Sequence, residues 1–249
     1  MTDDFRVCGV VPTYNNPRTI GAVVRALRAV VDEVFVVDDA GSEQARAALE
    51  SIGALAGVSV HTRSENGGKG AAVKDGLSLA ETRGFSHALQ VDADHQHDLT
   101  RLVDFVDAAR RDPDALVLGA PQFDASAPLL RRCARQITRV WTWIETGGLA
   151  ITDPMCGFRV YPVATALPAA RASGDRMDFD IEVAVRMVWA GVAVVNEPVT
   201  VRYLSAAQGG VSHFRPFQDN VLISWAHTRL VIEAMWRVAT GRRIRRLRR

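Results

Sequence analysis

The sequence predicts an α/β domain in which a mostly parallel central sheet is flanked by helices, followed by a C-terminal amphipathic helical extension. Three observations lead there. Apolar runs of strand length alternate with longer helical patterns from residue 5 onward. Several of these runs end in clusters of Asp, Asn, Thr and Gly, the kind of polar loop that meets ligands at the carboxyl ends of parallel strands. No Pro/Gly/Ser-rich linker and no internal repeat interrupts the alternation. Residues 1–215 therefore read as one domain, and 216–249 as a C-terminal helix with a polybasic tail.

Phe5 to Val11 is the first strand, apolar enough to be central in a parallel sheet. Pro12-Thr13-Tyr14-Asn15-Asn16-Pro17 ends it, and a helix is expected through Ala29, capped by Asn16 with Pro17 in its first turn. Thr13, Tyr14 and Asn15 are candidates for a ligand wall. Glu33 to Val37 is the second strand. Of the acids that close it, Asp38 is placed to accept hydrogen bonds from a nucleobase or ribose, and Asp39 or Ser42 to cap the next helix; both acids alternatively only cap and solvate.

Val58 to His61 is a short third strand leading to Asn66-Gly67-Gly68-Lys69-Gly70 and a helix to Thr82. Glycines at a helix start let backbone amides approach an anion, and Lys69 extends towards a phosphate. A generic turn explains the same residues. The fourth strand, Ala88 to Val91, ends in Asp92-Ala93-Asp94-His95-Gln96. On an extended chain Asp92 and Asp94 share one side. Paired carboxylates of this kind suit Mg²⁺ or Mn²⁺, with Gln96 as a further oxygen ligand. Isolated Asp-x-Asp pairs are also common as solvated turns.

Asp98 caps a helix with the core stripe Leu102, Val103, Phe105 and Val106, and Ala115 to Gly119 is a buried strand. Residues 126–150 are helical and mix Trp141, Trp143 and Ile144 with Arg132, Arg135 and Arg139, a pattern shared by membrane-surface helices and by core helices with a basic outer face. Arg159 follows Gly157-Phe158 at a strand start, where it either forks a phosphate or pins an acid. Asp180 and Glu182 lie in the first turn of a helix ending near Ala190, where acids complement the helix dipole. Val192 to Val201 is the last strand, and Arg202, His213 and Arg215 flank a Gly209-Gly210 hinge as candidate phosphate contacts.

The chain is 249 residues long and 48% hydrophobic, enough for a full core. Three cysteines without metal-type spacing, with Cys8 inside a strand, predict a reducing, cytosolic setting. The first residues are acidic and carry no signal-peptide pattern, and the apolar stretch 221–240 is broken by His227, Arg229, Glu233 and Arg237. Residues 242–249 hold six arginines; removing them from the net charge of +2 leaves the body at −4, which argues against nucleic-acid binding. A basic tail suits the anionic face of a bilayer.

Taken together, Val-Pro-Thr-Tyr-Asn-Asn, Val-Asp-Asp-Ala-Gly-Ser, Asn-Gly-Gly-Lys-Gly-Ala-Ala, Val-Asp-Ala-Asp-His-Gln and Cys-Gly-Phe-Arg occur in an order that resembles family 2 glycosyltransferases of the GT-A fold. The resemblance runs over residues 5–204 and is strongest to the branch containing dolichol-phosphate mannose synthases and other polyprenyl-phosphate glycosyltransferases. Asn16 departs from it, standing where the family often has Glu.

The resemblance implies an inverting transfer of a sugar from a nucleotide-diphosphate donor. Pro12, Thr13, Tyr14, Asn15, Asp38, Asp39, Lys69, Asp92 and Ala93 would line the nucleotide-sugar. Asp92, Asp94 and Gln96 would hold Mg²⁺ or Mn²⁺, and Arg159 with Asp180 or Glu182 would serve catalysis. Apart from the resemblance, Arg202, His213 and Arg215 are read as contacts to the acceptor or to the phosphates, adding positive charge at the leaving diphosphate. A polyprenyl-phosphate acceptor needs no base, whereas a lipid or saccharide hydroxyl needs Asp180 or Glu182 to take its proton. The implied setting is cytoplasmic, peripheral at the inner face of the membrane. Two other classes fit the same loops: a nucleotidyltransferase, and a nucleotide-sugar-binding protein without turnover.

Overall fold

The computed structural model describes residues 5–123, 129–202 and 214–241. A seven-stranded sheet has the order β3-β2-β1-β4-β6-β5-β7, built from β1 (Val7–Thr13), β2 (Val34–Asp38), β3 (Val58–Thr62), β4 (His87–Gln90), β5 (Leu116–Phe123), β6 (Arg159–Pro162) and β7 (Val194–Val201). The order reverses beside β1, where β4 pairs with one edge and β2 with the other. Every pairing is parallel except those of β6, which runs antiparallel to β4 and β5. The expected mostly parallel sheet is therefore present, with one reversed strand inside it. The reversal matters for function: it places the first residue of β6, Arg159, opposite Gln90 at the end of β4.

Helices cover both faces, so the central strands are apolar without interruption. All five residues of β2 are buried. Successive side chains divide between the two sides: Phe35 joins Cys8, Val10, Leu77 and Phe179 under α3 (Lys69–Thr82), α6 (Val163–Arg171) and α7 (Phe179–Trp189). Val34 and Val36 join Val11, Val24 and Phe105 under α1 (Ile20–Arg28), α2 (Glu43–Gly53) and α4 (Leu102–Arg111). Phe105 stacks on Phe158 with ring centroids 4.1 Å apart. Cys8 is buried core, its thiol pushed up to about 12 by desolvation.

Beyond this sandwich, α5 (Leu129–Thr146) and α8 (Pro216–Ala239) form an outer pair resting on α7. Ile181, Val185 and Trp189 of α7 meet Ile223 and Leu230 of α8 there. No helix among the described residues is long and apolar enough to cross a membrane.

Several expected boundaries shift. The first helix starts at Ile20, after Thr19 rather than Asn16, because Asn16 Oδ1 accepts from the Tyr14 amide instead, at 3.4 Å, within the loop. Ser42, not Asp39, caps α2 by accepting from Ala45 N. β4 ends at Gln90, and Asp92 to Asp94 turn rather than extend, with His95 at φ 57°. Tyr203, the Gly209-Gly210 hinge, His213 and the basic tail lie outside the described residues.

Candidate active site

The carboxyl ends of β1, β2 and β4 and the start of β6 meet at one edge of the sheet. Among the described residues only Asn15, Ala40 and His95 are non-glycines with positive φ, and each sits in the loop after one of those strands. Left-handed backbone at such residues costs on the order of 1 kcal/mol or more and is retained where it aims groups at a ligand. Asn15 Oδ1 accepts from Ser42 N at 2.7 Å, which ties the first two loops together.

Asp38, opposite Thr13 in register, is fully buried. Its Oδ1 accepts from Gly41 N at 3.1 Å, while Oδ2 has no hydrogen-bond partner. Burial raises its pKa against the pull of that amide. An unpaired, buried acceptor in a polar cleft suits an N–H or O–H donor brought by a ligand. Asp39 is differently engaged. Its two oxygens accept from Gly67 N at 2.8 Å and Gly68 N at 2.7 Å, with Arg63 Nε at 3.3 Å. The amides before α3, expected to be free for an anion, are therefore taken by this internal carboxylate. Gly68 adopts φ 103°, which lets the chain enter α3 with Lys69 facing the cleft.

Lys69 is the hub. Its Nζ lies 2.8 Å from Asp92 Oδ1 and 2.7 Å from Asp180 Oδ2, joining the third helix, the end of β4 and the start of α7. Burial alone would lower the pKa of Lys69, but the two carboxylates outweigh it and hold the ammonium charged. Burial would raise Asp92, and Lys69 reverses that. Arg159, completely buried, donates to Cys156 O at 2.6 Å, Pro154 O at 2.7 Å and Asp180 O at 2.8 Å, and its Nη2 stands 3.4 Å from Asp180 Oδ1. All three guanidinium nitrogens thus face protein acceptors, the arrangement of a residue that pins an acid. Tyr161 continues the network from Arg159 to Gln90 Oε1, at 3.1 Å.

Asp94 has no such cation. Its Oδ1 accepts from Gln96 N at 3.1 Å, and burial beside the charge of Asp92 pushes its pKa up to about 6. With the carboxylates ionised and neighbouring His97 neutral, Asp92, Asp94 and Asp180 are set against the charges of Lys69 and Arg159, an excess of one negative charge lodged at Asp94. The chemistry of this donor set fits a hard divalent cation held by Asp92 and Asp94 with Gln96 alongside. No three His, Cys, Asp or Glu side chains converge as a metal cage among the described residues, so the ion would complete its shell with water or substrate phosphate.

The other predicted residues divide. Thr13 and Ala93 are buried beside the cleft, the carbonyl of Ala93 accepting from Thr19 Oγ1 at 2.6 Å, and Tyr14 is exposed at its rim. Pro12 pairs with Val37 in the sheet. The Arg202 amide donates to Gln96 O at 2.9 Å, so the end of β7 braces the carboxylate loop. Glu182 is not brought to Asp92: it accepts from Gly174 N at 3.0 Å and pairs with Arg229 of α8. Burial raises its pKa, Arg229 opposing. Two residues along a helix turn about 200° around the axis, which is why Asp180 and Glu182 part company. Arg215 pairs with Asp219 at 3.6 Å at the head of α8.

Two positions beside the carboxylates were not among the candidate site residues. His97 is buried against Phe158 and Cys156, its Nε2 3.5 Å from the sulfur and its Nδ1 unpaired; desolvation pushes its pKa down to about 4 despite Asp92. Gly157 packs so closely that a Cβ there would stand 2.0 Å from Asp92 Oδ2.

The sequence model of glycosyl transferase family 2 matches residues 8–160. The chain is 30% identical over 214 residues to polyprenol monophosphomannose synthase of Mycolicibacterium smegmatis, covering 78% of this chain and 77% of that protein. It is 27% identical to undecaprenyl-phosphate mannosyltransferase of Micrococcus luteus, covering 79% and 83%. In fold it resembles glucosyl-3-phosphoglycerate synthase from Mycobacterium tuberculosis, solved with Mn²⁺ and UDP-glucose: TM-score 0.66 at 14% identity, over 92% of this chain and 79% of that one. Mannosyl-3-phosphoglycerate synthase from Rubrobacter xylanophilus gives 0.61 at 18%, over 98% and 77%. The sheet order, the strand-end carboxylates and these matches agree: this is a GT-A glycosyltransferase, and the chain belongs to glycosyl transferase family 2.

Proposed function

We propose that the protein moves a sugar, with inversion, from a nucleotide-diphosphate donor to a polyprenyl phosphate at the cytoplasmic face of a membrane. The observation that carries this reading is the charge imbalance at the sheet edge, three carboxylates against two cations. A Mg²⁺ or Mn²⁺ ion on Asp92 and Asp94, with Gln96, would supply Lewis-acid neutralisation of the leaving diphosphate. Asp38 would accept from the nucleoside, with Pro12, Thr13, Tyr14 and Asn15 as the wall beside it. Lys69 holds Asp92 in place and lies within reach of the same phosphates. Arg159 positions Asp180. Arg202 and Arg215, with His213, are the candidates for the acceptor phosphate.

The acceptor follows from Asp180. One of its oxygens lies against Lys69 and the other against Arg159, so the residue is poorly placed to take a proton. A phosphate monoester needs no base, being already largely ionised near neutrality with a second pKa of about 6. The names of the two mannosyltransferase relatives favour the same acceptor class and make mannose the first sugar to try.

The test is incubation of the purified protein with Mn²⁺, polyprenyl phosphate in detergent and a panel of UDP-, GDP- and dTDP-sugars. Release of nucleoside diphosphate with a glycosyl-phospholipid product in the mass spectrum is expected. Pyrophosphate release from nucleoside triphosphates would instead indicate a nucleotidyltransferase. Donor binding without any product would indicate a non-catalytic nucleotide-sugar-binding protein.

A further inference from the structure

The helix α5 is built inside out. Its buried side carries Thr138, Thr142, Glu145 and Thr146, with Thr142 and Glu145 fully enclosed. The opposite side carries Ile137, Val140, Trp141 and Ile144, with Ile137 61% and Ile144 55% exposed. A water-facing helix arranges these classes the other way round. The inward polar groups are held within the fold, although Glu145 Oε2 and His227 Nε2 have no hydrogen-bond partner there. Glu145 Oε1 lies 2.6 Å from His227 Nδ1 on α8, the Glu145 carbonyl accepts from Trp189 Nε1 at 2.9 Å, and the threonines bond back along the helix. Polar contacts thus lock α5 to α7 and α8 and leave its apolar side outward.

The neighbouring helix is apolar on both its inner and its outer side. Its buried side, Ile223, Ala226, His227, Leu230 and Ala234, faces the protein. A second apolar stripe runs along the outside through Phe217, Val221, Trp225, Ile232, Met235 and Trp236, and Phe217 is 82% exposed. Of the fifteen large hydrophobic residues exposed among the described residues, eleven lie on these two packed helices, so the exposure is one patch and not scatter. A hollow of about 560 Å³ opens along the first half of α8, between Phe217, Val221 and Trp225.

We infer that this α5/α8 face is a docking surface for an anionic lipid bilayer. Charge decides between lipid and a second copy of the chain. The acids on the two helices, Glu145, Asp219 and Glu233, are buried or ion-paired. Arg132, Arg135 and Arg139 lie along the flank of α5, and the six arginines of residues 242–249 follow directly on α8. A dimer across this face would bring two such tails with no exposed acid from either helix to neutralise them. An anionic leaflet neutralises them. Trp141, Trp225 and Trp236 are of the type that settles at the level of lipid headgroups. The apolar patch thus supplies insertion and the tail supplies attraction. Because Arg135 pairs with Asp153 at 2.6 Å, in the loop that carries Gly157 to Asp92, the docked face is continuous with the active site.

The inference deepens the reading of a membrane-borne acceptor by naming the surface that meets the membrane. It is tested on the full-length protein without donor or acceptor, by flotation with phosphatidylcholine vesicles, alone or mixed with phosphatidylglycerol. Expected are binding to the anionic vesicles, quenching of tryptophan fluorescence by brominated lipid, and a loss of affinity of about tenfold or more in the double variant Ile144→Ser/Trp225→Ser, from the apolar area withdrawn. That variant should keep its melting temperature and its activity on detergent-solubilised acceptor. Wild type that stays off anionic vesicles overturns the inference. So does a double variant that floats unchanged, or a solution dimer that the same substitutions dissociate. Transfer on solubilised acceptor is scored separately, so failure of the chemistry and failure of docking are distinct results.

Discussion

Lys69 Nζ stands 2.7 Å from Asp180 Oδ2, a contact between residues 111 positions apart that joins the entrance of α3 to the first turn of α7. The same nitrogen lies 2.8 Å from Asp92 Oδ1, so one buried ammonium serves two carboxylates. Replacing it leaves both without their nearest cation. Lys69→Met is expected to destabilise the protein by on the order of 3 kcal/mol, the usual cost of orphaning a buried ion pair. Added Mn²⁺ should restore more of the melting temperature in this variant than it adds to wild type, because a dication replaces the missing charge. Thermal melts with and without Mn²⁺ decide it; an equal Mn²⁺ shift in both proteins would contradict the role of Lys69 as resident counter-cation.

Asp94 works in the opposite direction. Its folded pKa of about 6 lies above the ordinary value of 3.8, so its ionised form is disfavoured by folding. The penalty is absent below pH 3.8, grows as pH rises to 6, and is constant above. Asp94→Asn should therefore stabilise the metal-free protein at pH 7–8, by on the order of 1–2 kcal/mol after allowance for its partial exposure. No gain is expected near pH 3.5. The same variant should lose the thermal stabilisation that Mn²⁺ gives wild type. Stabilisation by Mn²⁺ that survives in Asp94→Asn places the ion elsewhere.

His97 sets an acid limit. Its pKa falls from 6.5 unfolded to about 4 in the fold, so the neutral imidazole is what the native state holds. The associated stability is complete above pH 6.5 and is lost as pH falls through 4, a total of about 3 kcal/mol. His97→Phe, which keeps the packing on Phe158, should flatten the pH dependence of urea midpoints between pH 6.5 and 4. An unchanged slope would assign the acid sensitivity to other groups.

Gly157 allows the loop before β6 to lie against Asp92. A methyl group there would sit 2.0 Å from Oδ2, so either the carboxylate or the loop must move. Gly157→Ala is expected to cost about a hundredfold in kcat, because small displacements of a positioned group have effects of that size. Unfolding should remain cooperative. Full activity in a correctly folded Gly157→Ala would show that the placement of Asp92 is not critical.

Much of this was visible in the chain itself. The apolar runs of β1, β2 and β4 and the polar clusters that close them are local patterns, and local patterns fix which stretches are strands and where their ligand-facing ends lie. The antiparallel course of β6, although Arg159 was legible as a strand start, depends on how residues 124–158 travel between two strands, which no periodicity encodes. Glu182 and Asp180 looked equivalent until the helix turned one towards Lys69 and the other towards Arg229.

The clearest division is in α5. Its mixed sequence established that one side prefers water and another does not, and left open which side faces the protein. Only the packed structure, by burying Glu145 against His227, turned the apolar side outward. By itself the sequence determined the strand-and-helix order and the acids at the strand ends, because propensity and pattern act over neighbouring residues. The partners of those acids, and the apolar face left outward, were decided by contacts between residues 23 to 111 positions apart, where only the folded chain brings the charges into range.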